Sequence, residues 1–395
     1  MKSRKRVLII VENLPLPFDR RVWQEACALR DAGYSVSIIC PTAPDYEQRY
    51  VEIEGIAIHR HPLPVEADSA LTYALEYGMA LFWQLVLATR IAFGRGFDVI
   101  HACNPPDTVF IVGRVFRLFG KRFIFDQHDL CPELYLAKFN RRDRFYRLMC
   151  LLERLTFNTA RVSIATNDSF REIALSRGGM APEDVFVVRS GPNLARLQPV
   201  PPNPALRHGR RYLVGYVGVM GKQEGLDTLL HIIADIVHQR AREDIQFCLV
   251  GFGTELTALR ALAAELNLGD YVSFPGRLEG AELLEVLCTS DVCVSPDPHN
   301  AMNDKSTMNK IMEYMALGKA SVQFDLAEGR FSAQQASLYA EPGNVGDFAD
   351  KLLRLIDDAE LRDSMGAYGQ QRIAEVLDWQ YEVPRLLAAY ERALR

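Results

Sequence analysis

Short apolar runs alternate with longer helical patterns along this chain, and that rhythm restricts the fold more than any other feature. The runs at 7–11, 35–40, 98–102, 122–125 and 162–165 read as buried strands. Helical periodicity fills 21–32 and 143–159 between them. The second half repeats the pattern, with strands at 213–217, 245–250, 271–274, 292–295 and 320–323 and helices at 227–240, 255–266, 281–289 and 308–316. Such alternation predicts an α/β chain of doubly wound parallel sheets with helices on both faces. In these folds, sites lie beyond the carboxyl ends of the strands, so the loops there are where chemistry is expected.

A length of 395 residues suits two or three domains, at roughly 100–200 residues each. Gln198-Pro199-Val200-Pro201-Pro202-Asn203-Pro204 makes a poor strand or helix and a plausible linker. The expected division is therefore 1–198, 199–376 and a C-terminal helix over 377–395 that returns to the first domain and is kinked at Pro384. Charged residues are 24% of the chain and the net charge is −5, which argues against a wholly basic nucleic-acid protein. The halves differ: residues 1–205 hold 26 Lys+Arg against 22 Asp+Glu, leaving 19 against 28 in the remainder. A basic first half and an acidic second half suggest that they face different things.

The eight cysteines form no C-x-x-C pair and no zinc pattern, and most sit in apolar contexts, as buried free thiols in a reducing cytosol would. The basic N-terminus leads into an apolar run too short for an export signal. A cytoplasmic protein is expected.

Two glycine-bearing turns follow strands in the second half: Gly215-Tyr216-Val217-Gly218-Val219-Met220-Gly221-Lys222 and Val250-Gly251-Phe252-Gly253-Thr254-Glu255. Glycine lets backbone N–H groups approach an anion at a helix start, although many strand–helix turns need it for geometry alone. The most specific stretch runs from Asn303 to Lys319, where polar residues crowd the start of a helix that ends at a glycine. Lys310 and Glu313 share one face of it. They read as a surface ion pair, or as a cation for phosphate oxygens beside a carboxylate for ribose hydroxyls.

Phe274-Pro275-Gly276-Arg277, then Ser290-Asp291-Val292-Cys293-Val294-Ser295-Pro296, then Asn309-Lys310-Ile311-Met312-Glu313-Tyr314-Met315-Ala316-Leu317-Gly318-Lys319 resembles, in order and spacing, the donor domain of retaining GT-B glycosyltransferases of glycosyltransferase family 4. Ser190-Gly191-Pro192-Asn193 is similar to that family's interdomain segment. Asp126-Gln127-His128-Asp129-Leu130 is similar to its first-domain loop carrying a histidine to the donor sugar. The nearest likeness is to exopolysaccharide-biosynthesis members. The resemblance implies a GT-B fold of two Rossmann-like domains facing a cleft. It also implies hexosyl transfer from a UDP- or GDP-sugar with retention, by a front-face route in which the leaving diphosphate helps deprotonate the acceptor.

By that resemblance Glu313 binds ribose and His128 faces the sugar and diphosphate, with Asp129 either orienting His128 or capping the next turn. Donor contacts are expected from Gly218, Gly221, Lys222, Gly251, Gly253, Arg277, Asp304, Lys305, Ser306, Thr307, Asn309 and Lys310. The sequence departs from the family where a second sugar-binding Glu is replaced by Lys305, and where an Arg and a Lys that hold the diphosphate are replaced by Val219 and Glu224. A leaving diphosphate needs stabilised charge, and Lys310, Lys222 and the Gly218–Gly221 amides are the expected substitutes. No Asp-x-Asp metal motif occurs, so neither metal nor cofactor is expected.

The acceptor belongs with the first half. Asp19, Arg20 and Arg21 follow the first strand and Asn104 opens a later loop, with Asp107 expected as an N-cap. Residues 71–93 are long and apolar enough to suggest a membrane-interface, acceptor-lining or core helix more than a span. Lys138, Arg141, Arg142, Arg144 and Arg147 form a basic cluster suited to anionic lipid, or to a solvated helix face. The expected acceptor is a polyprenyl-diphosphate-linked saccharide at the inner face of the cytoplasmic membrane. Rival readings are another GT-B-like enzyme, such as a nucleotide-sugar epimerase, and a non-catalytic nucleotide-sugar-binding protein.

Overall fold

The computed structural model describes residues 5–62 and 70–395, without the side chains of 70–74 and 138. The basic residues 1–4 and the Lys138 side chain lie outside the described residues. The chain divides into two compact units, Met1–Ser190 with Glu382–Arg395, and Gly191–Tyr381. The division falls at 190/191 instead of 198/199. The proline-rich run belongs to the second unit because its backbone is bound there: the N–H groups of Val200 and Asn203 donate to Cys288 Sγ and Thr289 Oγ1.

The first unit runs β1 (Arg6–Ile10), α1 (Arg20–Asp31), β2 (Ser35–Pro41), β3 (Tyr50–Ile53), β4 (Ile56–His61), α2 (Ala70–Phe93), β5 (Val99–Cys103), α3 (Phe110–Arg117), β6 (Arg122–Gln127), α4 (Cys131–Phe139), α5 (Arg144–Thr159), β7 (Val162–Ala165), α6 (Asp168–Ser176) and β8 (Val185–Val187). Its sheet has the order β3-β4-β2-β1-β5-β6-β7-β8. Among the described residues strand β3 alone is antiparallel, paired with β4. Strand β1 is central and apolar on both faces, as expected of a parallel strand between helix layers. Helix α5 starts where Asp143 accepts from the N–H groups of Phe145 and Tyr146, so the cap sets its first turn.

The second unit runs β9 (Tyr212–Val219), α7 (Leu226–Ala234), β10 (Ile245–Phe252), α8 (Leu256–Glu265), β11 (Val272–Gly276), α9 (Gly280–Thr289), β12 (Val292–Ser295), α10 (Asn309–Ala316), β13 (Ser321–Phe324), α11 (Ala327–Ala333), β14 (Ser337–Ala340), α12 (Val345–Asp357) and α13 (Ala359–Arg372). Its sheet order, β11-β10-β9-β12-β13-β14, is the doubly wound 3-2-1-4-5-6 pattern. The first unit repeats it through β4-β2-β1-β5-β6-β7. In each, chain direction across the sheet reverses beside the first strand, between β1 and β5 and between β9 and β12, which is where a ligand crevice opens in such sheets.

Helix α14 (Val383–Leu394) belongs to the first unit and buries Leu386, Ala389, Tyr390 and Ala393, the spacing of one helical face. Pro384 starts this helix and does not kink it, because a first-turn residue needs no N–H partner. Helix α2 buries Ala80, Gln84 and Ala88 but exposes Leu75, Met79, Phe82 and Val86, an apolar stripe at helical spacing. Among the described residues no helix is long and apolar enough to cross a membrane. All eight cysteines are free.

Candidate functional site

In the first unit the site is built around β6. Residues 126 and 128 are two apart on extended backbone, so their side chains leave the same side, where 129 would leave the other. His128 Nε2 lies 2.6 Å from Asp126 Oδ2. The carboxylate that meets His128 Nε2 at this distance is Asp126, whereas the expectation for Asp129 is either to orient His128 or to cap the next turn. Asp129 contributes its backbone, whose N–H and C=O are both bound by the Asn104 side chain.

Asn104 is also displaced from its expected acceptor role. It is 2% exposed, its Oδ1 accepts from His128 N at 2.7 Å, and its Nδ2 donates to Asp107 Oδ1 and Asp129 O. It clamps the histidine loop from beneath. Arg21 is likewise buried and held on several sides: Nη2 meets Asp126 Oδ1 at 2.9 Å and Glu25 Oε1 at 3.1 Å, Nη1 donates to Val188 O and Ser190 Oγ, and Nε approaches His128 Nε2. Asp19 caps α1 by accepting from Val22 N. Arg20 is half-buried at the start of α1.

Charge in this cluster is set by those contacts. Burial would raise the Asp126 carboxyl, but Arg21 and His128 hold it well below the usual carboxylate range. Burial would lower His128, yet Asp126 carries it above the ordinary histidine value. Burial pushes Glu25 up to about 7 against the pull of Arg21. Ligand-type atoms gather twice here, from His101, Cys103 and Asp126 and from Glu25, Asp126 and His128. The Arg21 guanidinium already answers the two carboxylates, and burial pushes the Cys103 thiol far up, so the donor set fits an ion-pair cluster better than a cation.

Asp107 lies behind this loop inside a short 3-10 turn, Asp107–Val109, whose N-cap position is Pro106, so it does not act as the expected cap. Burial and the neighbouring Glu153 push its carboxyl up to about 7. A carboxyl raised on folding favours the native state fully below its unfolded value near 3.9 and loses that contribution as pH climbs towards 7. Asp107→Asn keeps an acceptor for Asn104 and cannot ionise. Its melting temperature should fall less between pH 5 and pH 8 than that of the wild type. An identical fall in thermal denaturation would place Asp107's ionisation outside the folding equilibrium.

In the second unit the loops after β9 and β12 meet at the sheet's reversal point: Asn303 Nδ2 donates to Gln223 O at 3.0 Å. Lys310, at the start of α10, is 9% exposed. Its Nζ lies 2.8 Å from Glu224 Oε2 and 2.9 Å from Asp297 Oδ1, over the Tyr216 ring. Burial opposes its charge, but the two carboxylates hold its pKa well above the usual lysine value, and burial raises Glu224. One cation is thus shared by two carboxylates, so the cluster carries no spare positive charge as it stands. Glu313 follows on the next turn of α10 and is half-buried.

The glycines answer geometry first. Gly251 and Gly253 have φ of +155° and +157°, and an added Cβ would sit 1.9 Å from Gly218 O and 2.4 Å from Met220 O. They let the turn after β10 pack on the turn after β9. At Gly218 a Cβ would meet the Tyr216 hydroxyl, and at Gly221 the Gln223 side chain. Lys222 is exposed in a 3-10 turn. Arg277 pairs with Glu279 and lies over the Phe252 ring. Asp304 accepts from Ala327 N, and Ser306 Oγ donates to Met302 O, so both tie the loop before α10. Lys305 and Thr307 are half-buried in that loop, and Asn309 is exposed at the first turn of α10.

Five partners escape sequence reasoning: Glu25, His101 and Tyr390 in the first unit, and Glu224 and Asp297 as carboxylates on Lys310. Only the i, i+2 spacing of Asp126 and His128 on a strand end could have signalled part of this.

Residues 211–358 match the family described as "Glycosyl transferases group 1", and residues 19–191 match the "Glycosyl transferase 4-like domain". The MMP α-(1→4)-mannosyltransferase of Mycolicibacterium hassiacum is 23% identical, with 93% of this chain and 92% of that protein covered. The phosphatidyl-myo-inositol mannosyltransferase of Mycolicibacterium smegmatis is 24% identical over 96% of this chain and 91% of its own. Among solved structures, sucrose-phosphate synthase from Thermosynechococcus elongatus superposes with a TM-score of 0.81 at 19% identity, covering 98% of each chain. Anabaena Alr3699/HepE in complex with UDP and glucose gives 0.73 at 14% identity, covering 98% of this chain and 100% of that one. These likenesses establish the GT-B fold.

Proposed function

This chain is a GT-B glycosyltransferase, and from that premise we propose that it moves a hexose from a UDP- or GDP-sugar, with retention, to a hydroxyl of a lipid-linked saccharide in polysaccharide synthesis. The observation that carries the donor half is the convergence of the β9 and β12 loops and the start of α10 at the reversal point of the second sheet, with Glu313 on that helix. Glu313 takes the ribose hydroxyls. Lys310 takes the diphosphate, which has to compete with Glu224 for it. The UDP complex of a structural neighbour supports a nucleotide-sugar donor. The transfer proceeds without a protein nucleophile or a resident cofactor, the departing diphosphate receiving the acceptor proton.

The lipid half rests on the first unit. The stripe Leu75, Met79, Phe82 and Val86 on α2 is exposed, as are Phe145, Leu148 and Leu151 on α5. Arg141, Arg142, Arg144 and Arg147 stand exposed beside the latter. Apolar side chains flanked by arginine suit peripheral contact with an anionic surface, at about 1 kcal/mol per basic residue. The name of a relative that acts on phosphatidyl-myo-inositol supports a lipid acceptor.

A thermal-shift panel of UDP- and GDP-sugars tests the reading. The true donor should raise the melting temperature by mass action, worth about 2.7 kcal/mol at one hundred times its Kd. Labelled sugar should then enter the lipid fraction of membranes given the enzyme. A flat panel removes the donor assignment, and label confined to water-soluble product removes the lipid acceptor.

A further inference from the structure

A buried chain of hydrogen bonds runs from α14 to the site histidine. The Tyr390 hydroxyl, on α14, lies 2.7 Å from His101 Nδ1. His101 Nε2, on β5, lies 3.2 Å from Asp126 Oδ2, and the same oxygen lies 2.6 Å from His128 Nε2. Tyr390, His101 and Asp126 are fully buried, whereas the His128 side chain is 15% exposed. Arg21 donates to the second Asp126 oxygen, so the carboxylate cannot rotate away.

We propose that Asp126 is the positioning residue for His128: it ties Nε2 inward, with His101 and Tyr390 behind it, so that Nδ1 is the ring nitrogen left for the substrate. This rests on the reading that His128 faces the sugar or its diphosphate. Arg21 Nε also approaches His128 Nε2, at 3.1 Å. Both are donors once the ring carries a proton there, so the bond to Asp126 is the one that survives. In the charged ring Nδ1–H is then also a donor and can meet the charge that develops on a departing phosphate.

Among the described residues of the first unit, the following charged or titratable groups surround this ring and its Asp126 partner. Asp19, Arg21 and Glu25 come from α1 and its cap, His101 and Cys103 from β5, Asp126 from β6 and Tyr390 from α14. Arg21 opposes a proton on His128, while Asp126 and Asp19 favour it. The raised histidine value is consistent with Asp126 prevailing.

The histidine ring itself gives the test, by NMR of protein labelled with 15N-histidine, with His128→Gln assigning the signal. In the wild type His128 should titrate above 6.5 and, once neutral, carry its proton on Nε2. In Asp126→Asn the titration should move below the wild-type value and the neutral proton should shift towards Nδ1, while histidine signals other than that of His101, which shares the Asp126 carboxylate, stay in place. Tyr390→Phe should move the titration in the same direction by less. A wild-type ring that titrates at or below 6.5, or carries its neutral proton on Nδ1, overturns the proposal even if Asp126→Asn does not fold. So does an unchanged titration in a folded Asp126→Asn. For UDP-glucose or GDP-mannose turnover, Asp126→Asn should lower kcat about 10²-fold with KM little changed. Normal turnover by His128→Gln would instead strike the functional reading of His128, leaving the NMR result standing.

Discussion

Replacing Arg21 by alanine should cost the first unit about 3–5 kcal/mol, because two buried carboxylates lose their shared cation. Asp126 and Glu25 are both 0% exposed, and Arg21 bonds to each of them and to the backbone at Val188. Of the other groups in the cluster only the histidines can carry a positive charge, and they do so only by binding protons. The pH dependence follows in sign. The Asp126 carboxyl is depressed on folding by Arg21, so its stabilising contribution exists above the unfolded value near 3.9 and disappears as pH falls. The loss in Arg21→Ala should therefore be large at pH 8 and smaller at pH 5, where Glu25 is already mostly protonated. Thermal denaturation at the two values reads this directly, with an expected drop of about 10 °C at pH 8. A variant melting within about 2 °C of the wild type at pH 8 would mean that the cluster is not ionised as described.

Replacing Glu313 by alanine should act on binding and spare the fold. Its side chain is half-buried on a helix whose packing rests on Ile311, Met312, Tyr314 and Met315. A carboxylate bonded to a vicinal diol contributes about 1.5–3 kcal/mol, which is a loss of roughly 10- to 100-fold in affinity. Calorimetry with UDP and GDP should show that loss for the preferred nucleotide, with the melting temperature of the free protein nearly unchanged. Equal affinity in variant and wild type would take the ribose from Glu313. A matching loss of stability would make the residue structural.

Much of the architecture is legible in local pattern. All ten expected strands overlap their observed counterparts, with 122–125, 213–217 and 245–250 found extended to Gln127, Val219 and Phe252. Strand β4 escapes because it ends in Arg60 and His61, polar residues that look like surface. The structure buries both, with Arg60 donating to Leu16 O and Gln48 O and His61 beside Glu12. Strand β14 and β8 are short edge strands whose pairing, more than their composition, defines them.

The site divides along the same line. Periodicity along the chain determined the two parallel sheets and the helix that carries Lys310 and Glu313, because burial on a strand or helix imposes its period on the residues themselves, while the loop that carries His128 was marked by its resemblance to a known family. Which charges meet was decided only by the tertiary structure. Lys310 and Glu224 are 86 residues apart, Arg21 and Asp126 are 105 apart, and His101 and Tyr390 are 289 apart. No local pattern encodes such pairings. They exist because sheet order brings strand ends together, and because a charge taken out of water must find its partner among whatever groups the fold has placed beside it.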